Sequence, residues 1–258
     1  MKIGVVGLGL IGGSIFKAIN NLHEVIGISV SQKGKESNIT DDVTVLKDCD
    51  IVFVATHMNK TISVLEELNN ILDEDTVVAD VCSLKEFLSK KEYKFNFIPT
   101  HPMAGTEKTG FENSFKELFE GAKWVICKKQ CPENLKKVIE QMGAKIIFAT
   151  PKEHDEAVAL ISHMPMVLSQ ALFKSVQSNA LALKLASSGF RDMTRLALSN
   201  VEMADDMINL NNKNIQEAIL RLYASVGDLI KNDYRYEICD IREQRSKMYD
   251  QNGKNVIN

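Results

Sequence analysis

The pattern of apolar and polar positions divides the chain into two halves. Up to about residue 150, short β-branched and apolar runs alternate with segments of helical period, which is typical of βαβ units on a parallel sheet. Several of these runs are apolar almost throughout, as in central strands that are covered on both faces. The predicted strands are Ile3 to Val6, Val25 to Ser29, Ile51 to Ala55, Val77 to Val81, Phe95 to Pro99, Lys123 to Cys127 and Lys145 to Phe148.

After Pro151 the alternation stops and the period becomes helical. Apolar residues share helix faces in two sets, which are Ile161, Met164, Leu168 and Leu172, and Ile215, Ile219, Leu222, Val226 and Leu229. The pattern predicts an α/β domain over residues 1–150 and an all-α domain over residues 151–258. Because helices this apolar need more surface to cover them than about 100 residues provide, we predict a homodimer formed through the helical domain.

A glycine motif lies between the first predicted strand and the first helix. Gly7-Leu8-Gly9-Leu10-Ile11-Gly12 is a GxGxxG pattern, and in this position it is typical of a pyrophosphate-binding turn. Gly7 permits the turn, Gly9 admits the phosphates and Gly12 lets helix and strand pack closely. The N–H groups at the helix start, at Leu10 and Ile11, are free to face the phosphates. The motif predicts a Rossmann-type dinucleotide-binding domain and a nicotinamide-dependent oxidoreductase; the alternative is a glycine-rich turn without a ligand.

The end of the second strand bears on the choice between NAD and NADP. An acid there usually accepts hydrogen bonds from the adenosine ribose of NAD. This chain has Ser29, followed by Ser31 and Lys33, with no acid between them, so nothing repels a 2′-phosphate. The sequence leaves both cofactors open, and a relaxed site that accepts either is the alternative.

Two polar segments follow later strands, where ligands of open parallel sheets bind. One contains His101, which precedes a proline in a glycine-bearing loop. An imidazole there can accept a proton from a substrate hydroxyl while hydride leaves the same carbon. The other contains Ser83, which either touches the site or, with Glu86, forms a capping box for a following helix.

Composition restricts the function classes. The net charge is −3, with 45% apolar and 25% charged residues, so no broad positive field favours nucleic acid and an anionic substrate needs individual Arg or Lys side chains. The five cysteines form no metal-type pair of CxxC motifs. With no basic leader and no run of eighteen apolar residues, we expect a cytoplasmic protein without a membrane span or a metal site.

Longer motifs resemble one family. Residues 7–14, Gly-Leu-Gly-Leu-Ile-Gly-Gly-Ser, and residues 101–110, His-Pro-Met-Ala-Gly-Thr-Glu-Lys-Thr-Gly, are similar to motifs of the prephenate dehydrogenase family of tyrosine biosynthesis, which includes arogenate and cyclohexadienyl dehydrogenases. Further matches are Glu153-His154-Asp155, Ser162-His163-Met164-Pro165 and residues 189–195, Gly-Phe-Arg-Asp-Met-Thr-Arg. The resemblance therefore extends over nearly the whole chain.

The resemblance implies a reaction and a set of site residues. The family oxidises the ring hydroxyl of prephenate by hydride transfer to NAD or NADP, and loss of carbon dioxide makes the ring aromatic. His101 then corresponds to the catalytic histidine, Ser83 to the serine that orients it and Arg195 to the arginine that binds substrate carboxylate. The residues that the resemblance places along or at the gate of the pocket are Thr106, Glu107 and Asp192.

Several interpretations stay open on the sequence alone. Arg195 and Asp192 also have the spacing of a helix-surface salt bridge. A kink at Pro165 could turn His163 towards the substrate, or His163 is a buried, hydrogen-bonded core residue. Met166 stands where many family members have a second histidine, so arogenate competes with prephenate as the substrate. Two further functions stay open as well: a different two-domain reductase of hydroxy acids or imines, and a non-catalytic sensor of the cofactor ratio.

Overall fold

The computed structural model describes residues 1–106, 108–231, 234–250 and 255–257. Six parallel strands form the main sheet, in the order β3-β2-β1-β4-β5-β6. Their bounds are β1 Lys2–Val6, β2 Glu24–Ile28, β3 Ile39–Thr40, β4 Ile51–Val54, β5 Val77–Asp80 and β6 Asn96–Ile98. The helices between them are α1 Leu10–Ile19 and α2 Met58–Leu68. This is the strand order of a dinucleotide-binding Rossmann sheet, whose direction of winding reverses between β1 and β4.

A second, smaller sheet differs from the sequence prediction. It has the order β7-β8-β9, with β7 antiparallel to β8 and β8 parallel to β9. Its strands and the helix within it are β7 Thr100–Pro102, β8 Lys123–Ile126, α3 Glu133–Gln141 and β9 Lys145–Phe148. The last two predicted strands therefore exist but leave the parallel sheet, and β3 and β7 were not predicted. Both missed strands are only two or three residues long, too short for a period to show.

The second half of the chain is helical, as predicted. Its helices are α4 Pro151–Val158, α5 Met164–Val176, α6 Ala180–Leu185, α7 Ser188–Met193, α8 Val201–Leu210, α9 Asn212–Lys231 and α10 Tyr234–Met248. A π-helical turn, Ala159–His163, joins α4 to α5. Pro165 has no N–H to donate to the carbonyl of Ile161, so the regular helical pattern is interrupted at the place where the sequence predicts a kink.

The joined helix Pro151–Val176 has 26 residues and, within the part of the chain that the structure describes, is the one helix long and apolar enough to cross a membrane by length and composition alone. One such helix is weak support for a membrane span, because packed helices of globular domains pass the same test. This helix carries His154, Asp155 and His163, which are all at most 3% exposed.

The chain divides into two compact units, Met1–Asn214 and Ile215–Asn258. The first unit extends beyond residue 150 because Met166, Ala204 and Met207 pack into the same apolar cluster as the strands β4 and β5. All five cysteines are free thiols. Many large apolar side chains of the helical half remain exposed in a single chain, among them Ile161, Leu185, Leu198, Tyr223 and Ile230.

Candidate functional site

The glycine turn after β1 has the shape that a dinucleotide requires. Gly7 has a φ of 90°, which L side chains rarely adopt. A Cβ on Gly12 would lie 1.9 Å from the carbonyl oxygen of Gly7, whereas a Cβ on Gly9 would meet nothing within 4 Å. Gly9 is the N-cap of α1, provides no side-chain cap, and the first turn of that helix contains no acid. Open space therefore lies over uncapped N–H groups, and this arrangement fits a pyrophosphate.

The turn after β2 contains hydroxyls. Ser29 Oγ lies 3.4 Å from Ser31 Oγ, and the Gln32 amide donates to Ser31 Oγ at 3.2 Å. Lys33 forms an ion pair of 2.8 Å with Asp41, the residue after β3. Asp41 therefore already neutralises the one cation in the Ser29 to Lys33 segment.

His101 lies on β7, just beyond the carboxyl ends of β5 and β6, and is the first member of a hydrogen-bonded chain. Its Nδ1 is 2.9 Å from Nε2 of His154, and Nδ1 of His154 is 2.7 Å from Oδ1 of Asp155. His101 is half-buried, whereas His154 and Asp155 are each 3% exposed. Burial holds the pKa of His101 well below its ordinary value, and electrostatic interactions with His154, Lys85 and His163 lower it further. His101 is therefore neutral at physiological pH and has a lone pair for a proton.

A fully buried ion pair holds the segment before His101. Lys85 Nζ donates to Asp80 and, at 2.6 Å, to the carbonyl oxygen of Thr100. Asp80 also accepts the N–H groups of Cys82 at 2.9 Å and Thr100 at 3.1 Å. Burial raises the pKa of Asp80, and the charge of Lys85 opposes that shift. This network fixes the backbone of Thr100, the residue that precedes His101.

His163 is buried next to the same cluster. Nδ1 of His163 is 3.2 Å from the amide nitrogen of Asn211, which also donates to the carbonyl oxygen of Asp155 at 2.9 Å. Since an amide NH₂ only donates, the proton of neutral His163 lies on Nε2. That nitrogen is buried and has no hydrogen-bond partner among the described residues. Burial lowers the pKa of His163 to about 4, so the ring is a neutral donor.

Ser83 is another residue that the sequence places in the site. Ser83 follows β5 half-buried, with its Oγ 3.6 Å from Met58 Sδ. The capping box, one of the two interpretations of Ser83, does not form: no regular helix follows Ser83, and the side chain of Asp155 accepts the N–H groups of Lys85 and Glu86.

Arg195 begins the 3₁₀ turn Arg195–Leu198 and is exposed. The alternative interpretation, a surface salt bridge between Arg195 and Asp192, is not formed in the described part of the chain, where Asp192 pairs with Arg191 at 3.0 Å. Within the same residues, no hydrogen bond or ion pair joins Arg195 to the histidine cluster. Thr106 is exposed and lines an open cavity of about 470 Å³ with Lys108 and Ser114. Glu107 lies outside the described residues.

Sequence reasoning missed four residues that support His101. His154 and Asp155 entered only as part of a motif match, and Lys85 only as a position between Ser83 and Glu86, the two residues of the candidate capping box. A charged Asp80 at the end of an apolar strand was the available signal. Met166, which stands where many family members have a second histidine, is a core residue at 4% exposure.

Comparison with known families matches both halves of the chain. Residues 20–148 match the family model for the nucleotide-binding domain of prephenate dehydrogenase, and residues 150–233 match the model for its dimerization domain. A prephenate dehydrogenase of Bacillus subtilis is 31% identical over 80% of this chain and 63% of its own length. A cyclohexadienyl dehydrogenase of Zymomonas mobilis is 25% identical over 80% of this chain and 79% of its own length. The chain thus spans under two thirds of the Bacillus protein.

Two solved structures are similar in fold to this chain over nearly its whole length. The arogenate dehydrogenase of Synechocystis is 31% identical, with a TM-score of 0.81 over 95% of this chain and 98% of that one. The prephenate dehydrogenase of Aquifex aeolicus, in complex with hydroxyphenyl propionate and NAD+, is 26% identical, with a TM-score of 0.80 over 95% and 96% of the two chains.

Proposed function

The chain belongs to the prephenate dehydrogenase family, and from this membership we propose that it catalyses the oxidative decarboxylation of prephenate to 4-hydroxyphenylpyruvate in tyrosine biosynthesis. The observation that carries the proposal is the neutral, half-buried His101 beside the carboxyl ends of a Rossmann sheet. A base in that position is what removal of a hydroxyl proton during hydride transfer requires.

A nicotinamide dinucleotide would be held by Gly7, Gly9 and Gly12, with its pyrophosphate against the N–H groups of Leu10 and Ile11. When bound, it supplies the hydride acceptor. Ser29 and Ser31 would contact the adenosine ribose. Because the segment from Ser29 to Lys33 has no carboxylate, we propose that the site accepts NADP as well as NAD.

The substrate is a dianion, and Arg195 provides a positive charge for one of its carboxylates. Its guanidinium is exposed and forms no ion pair within the described residues, so it is available for a bidentate contact with a carboxylate. His101 takes the hydroxyl proton on its free ring nitrogen: the O–H bond breaks, an N–H bond forms, and the O–H electron pair makes a C=O bond as hydride leaves the same carbon. The C–C bond to the ring carboxylate then breaks and carbon dioxide leaves. The electron pair of that bond completes the aromatic ring, and the ring oxygen takes back the proton from His101.

The remaining residues are assigned to orientation and binding. Ser83 Oγ lies near the end of β5 and would orient His101 or the substrate hydroxyl. His163 would donate from Nε2, the buried ring nitrogen that has no partner among the described residues. Residues that would line or gate the substrate pocket are Thr106, Glu107 and Asp192.

Arogenate dehydrogenase is the second candidate, because the Synechocystis relative carries that name at 31% identity. The two substrates differ in one side chain, which is a keto acid in prephenate and an amino acid in arogenate. Met166, where many family members have a histidine, is 4% exposed and packs in the apolar core. It therefore offers no hydrogen bond to either side chain.

We further propose that two chains associate through the helical half. The supporting observations are the match to a dimerization domain over residues 150–233 and the exposed apolar side chains such as Ile161 at 64% and Leu198 at 86%. We also propose that residues 1–150 form the dinucleotide-binding domain and residues 151–258 the substrate and dimerisation domain. A cytoplasmic location is part of the same proposal.

One assay tests the function. Purified protein is mixed with NAD or NADP and with prephenate or arogenate, and the absorbance of the reduced cofactor is followed with time. Turnover of prephenate, lost in His101→Asn because an amide cannot accept the proton, is the expected result. Faster turnover of arogenate would select the second candidate. Reduction with neither acid in any of the four combinations would refute the proposed function.

A further inference from the structure

The buried pair beside His101 has no role in the reaction as derived so far. We propose that His154 and Asp155 are positioning residues, which form with His101 a hydrogen-bonded relay that keeps the proton of neutral His101 on Nδ1 and leaves Nε2 as the base. The inference rests on the proposed function and adds two residues to it.

The proton positions follow from the chemistry of the three groups. The Asp155 carboxylate accepts the N–H groups of Lys85 at 2.9 Å and Glu86 at 2.9 Å. An ionised carboxylate only accepts, so the 2.7 Å contact to His154 requires a proton on Nδ1 of His154. With this single proton on Nδ1, Nε2 of the His154 ring is the acceptor. The 2.9 Å contact to His101 therefore requires the proton of His101 on Nδ1, and its Nε2 holds the lone pair.

The Asp155 carboxylate also stabilises His101 when that ring becomes protonated. Asp155 is buried, and no Lys or Arg side chain of the described residues forms an ion pair with its carboxylate; Lys85 Nζ is bonded to Asp80 instead. A proton taken up by His101 Nε2 makes that ring an imidazolium. Its Nδ1–H still donates to His154, which still donates to Asp155, so the negative charge stabilises the cation without any further proton transfer.

The surrounding backbone holds the relay in place. Thr150 caps the start of α4, its side chain accepting the N–H of Glu153 while Glu153 bonds back to Thr150. The N–H of His154 donates to the carbonyl oxygen of Thr150 at 3.0 Å. Asn211 donates to the carbonyl oxygen of Asp155 at 2.9 Å. Both side chains thus start from a fixed backbone, as a positioning role requires.

Three variants test the relay through kcat and KM. His154→Leu removes both hydrogen bonds, whereas His154→Gln keeps one donor and one acceptor but cannot carry a charge. Asp155→Asn can donate to His154, which would move the proton of His101 to the wrong nitrogen. His23→Gln, which alters a hydrogen-bonded histidine outside the cluster, is the control that leaves kcat unchanged.

We expect His154→Leu to lower kcat about 100-fold or more and Asp155→Asn to lower it by about 10³–10⁴, both with KM and cofactor affinity little changed. His154→Gln should recover at least about tenfold over His154→Leu, which a mere packing role would not produce. His154→Leu with wild-type kcat, or His154→Gln as impaired as His154→Leu, would overturn the relay. If His154→Leu does not fold, the Gln and Asn variants decide. An inactive wild-type protein would instead overturn the proposed function.

Discussion

Lys85→Met tests how much of the fold depends on one buried ion pair. Lys85 and Asp80 both have 0% side-chain exposure and are bonded to each other. The substitution keeps the length of the apolar stem but removes the ammonium. Asp80 then keeps two backbone donors, from Cys82 and Thr100, and has no countercharge, while the carbonyl oxygen of Thr100 loses its donor.

The expected cost is about 3–5 kcal/mol of the free energy of unfolding, because a charge left alone in the interior is far more expensive than the pair. For a chain of this size that lowers the midpoint of thermal unfolding by about 10 °C. Adding Asp80→Asn removes the unpaired charge, so the double variant should recover a large part of the loss, with a coupling energy of about 2 kcal/mol or more.

Urea unfolding at one fixed protein concentration measures these differences, since association of chains also contributes to stability. Far-ultraviolet circular dichroism reports the helices. The only tryptophan, Trp124, is fully buried between Phe53 and Phe119, so its fluorescence reports the core near β8. A loss below about 1 kcal/mol for Lys85→Met, or a double variant as unstable as the sum of the two singles, would refute the reasoning.

Further predictions concern single positions. Gly12→Ala should lower stability because its Cβ would lie 1.9 Å from a carbonyl oxygen, whereas Gly9→Ala, with open space around it, should leave stability intact and weaken dinucleotide binding in a fluorescence titration; equal stabilities would contradict this. His163 has a pKa of about 4 when folded and about 6.5 when unfolded, so the unfolded chain binds more protons as pH falls through that window. Between about pH 6.5 and pH 4, the free energy of unfolding of the wild-type chain should therefore fall by roughly 3 kcal/mol more than that of His163→Gln. Urea unfolding at each pH measures the difference. Arg195→Ala should mainly raise KM for the substrate, by about fivefold for the carboxylate contact of an exposed guanidinium, and an unchanged KM would remove it from the site. Ile161→Glu places a charge on an apolar surface and should shift sedimentation towards the monomer.

The spacing of apolar residues and the sequence motifs predict most of the fold. Seven strands and the helical half follow from alternation and helical spacing, because side chains that face a core repeat with the geometry of the backbone. The two short strands β3 and β7 carry too few residues for a period to show. Their pairing depends on neighbours that are distant in sequence, as does the departure of β8 and β9 from the parallel sheet.

The sequence by itself determined the parts of the site whose chemistry lies within one segment. The glycine turn needs only consecutive residues, and it is formed where the motif predicts it. His101 was predicted from its loop alone, because ligands of open parallel sheets bind beyond the carboxyl ends of the strands.

Only the tertiary structure decided what surrounds His101. His101 and His154 are in contact although they are 53 residues apart in the sequence. Asp155 accepts the N–H of Lys85, which is 70 residues away. Local pattern cannot predict such contacts, because they depend on how α4 packs against β7 and the segment after β5. The glycine turn is a property of neighbouring residues, whereas the protonation of His101 is a property of the packed molecule, set by burial and by charges that folding brings together.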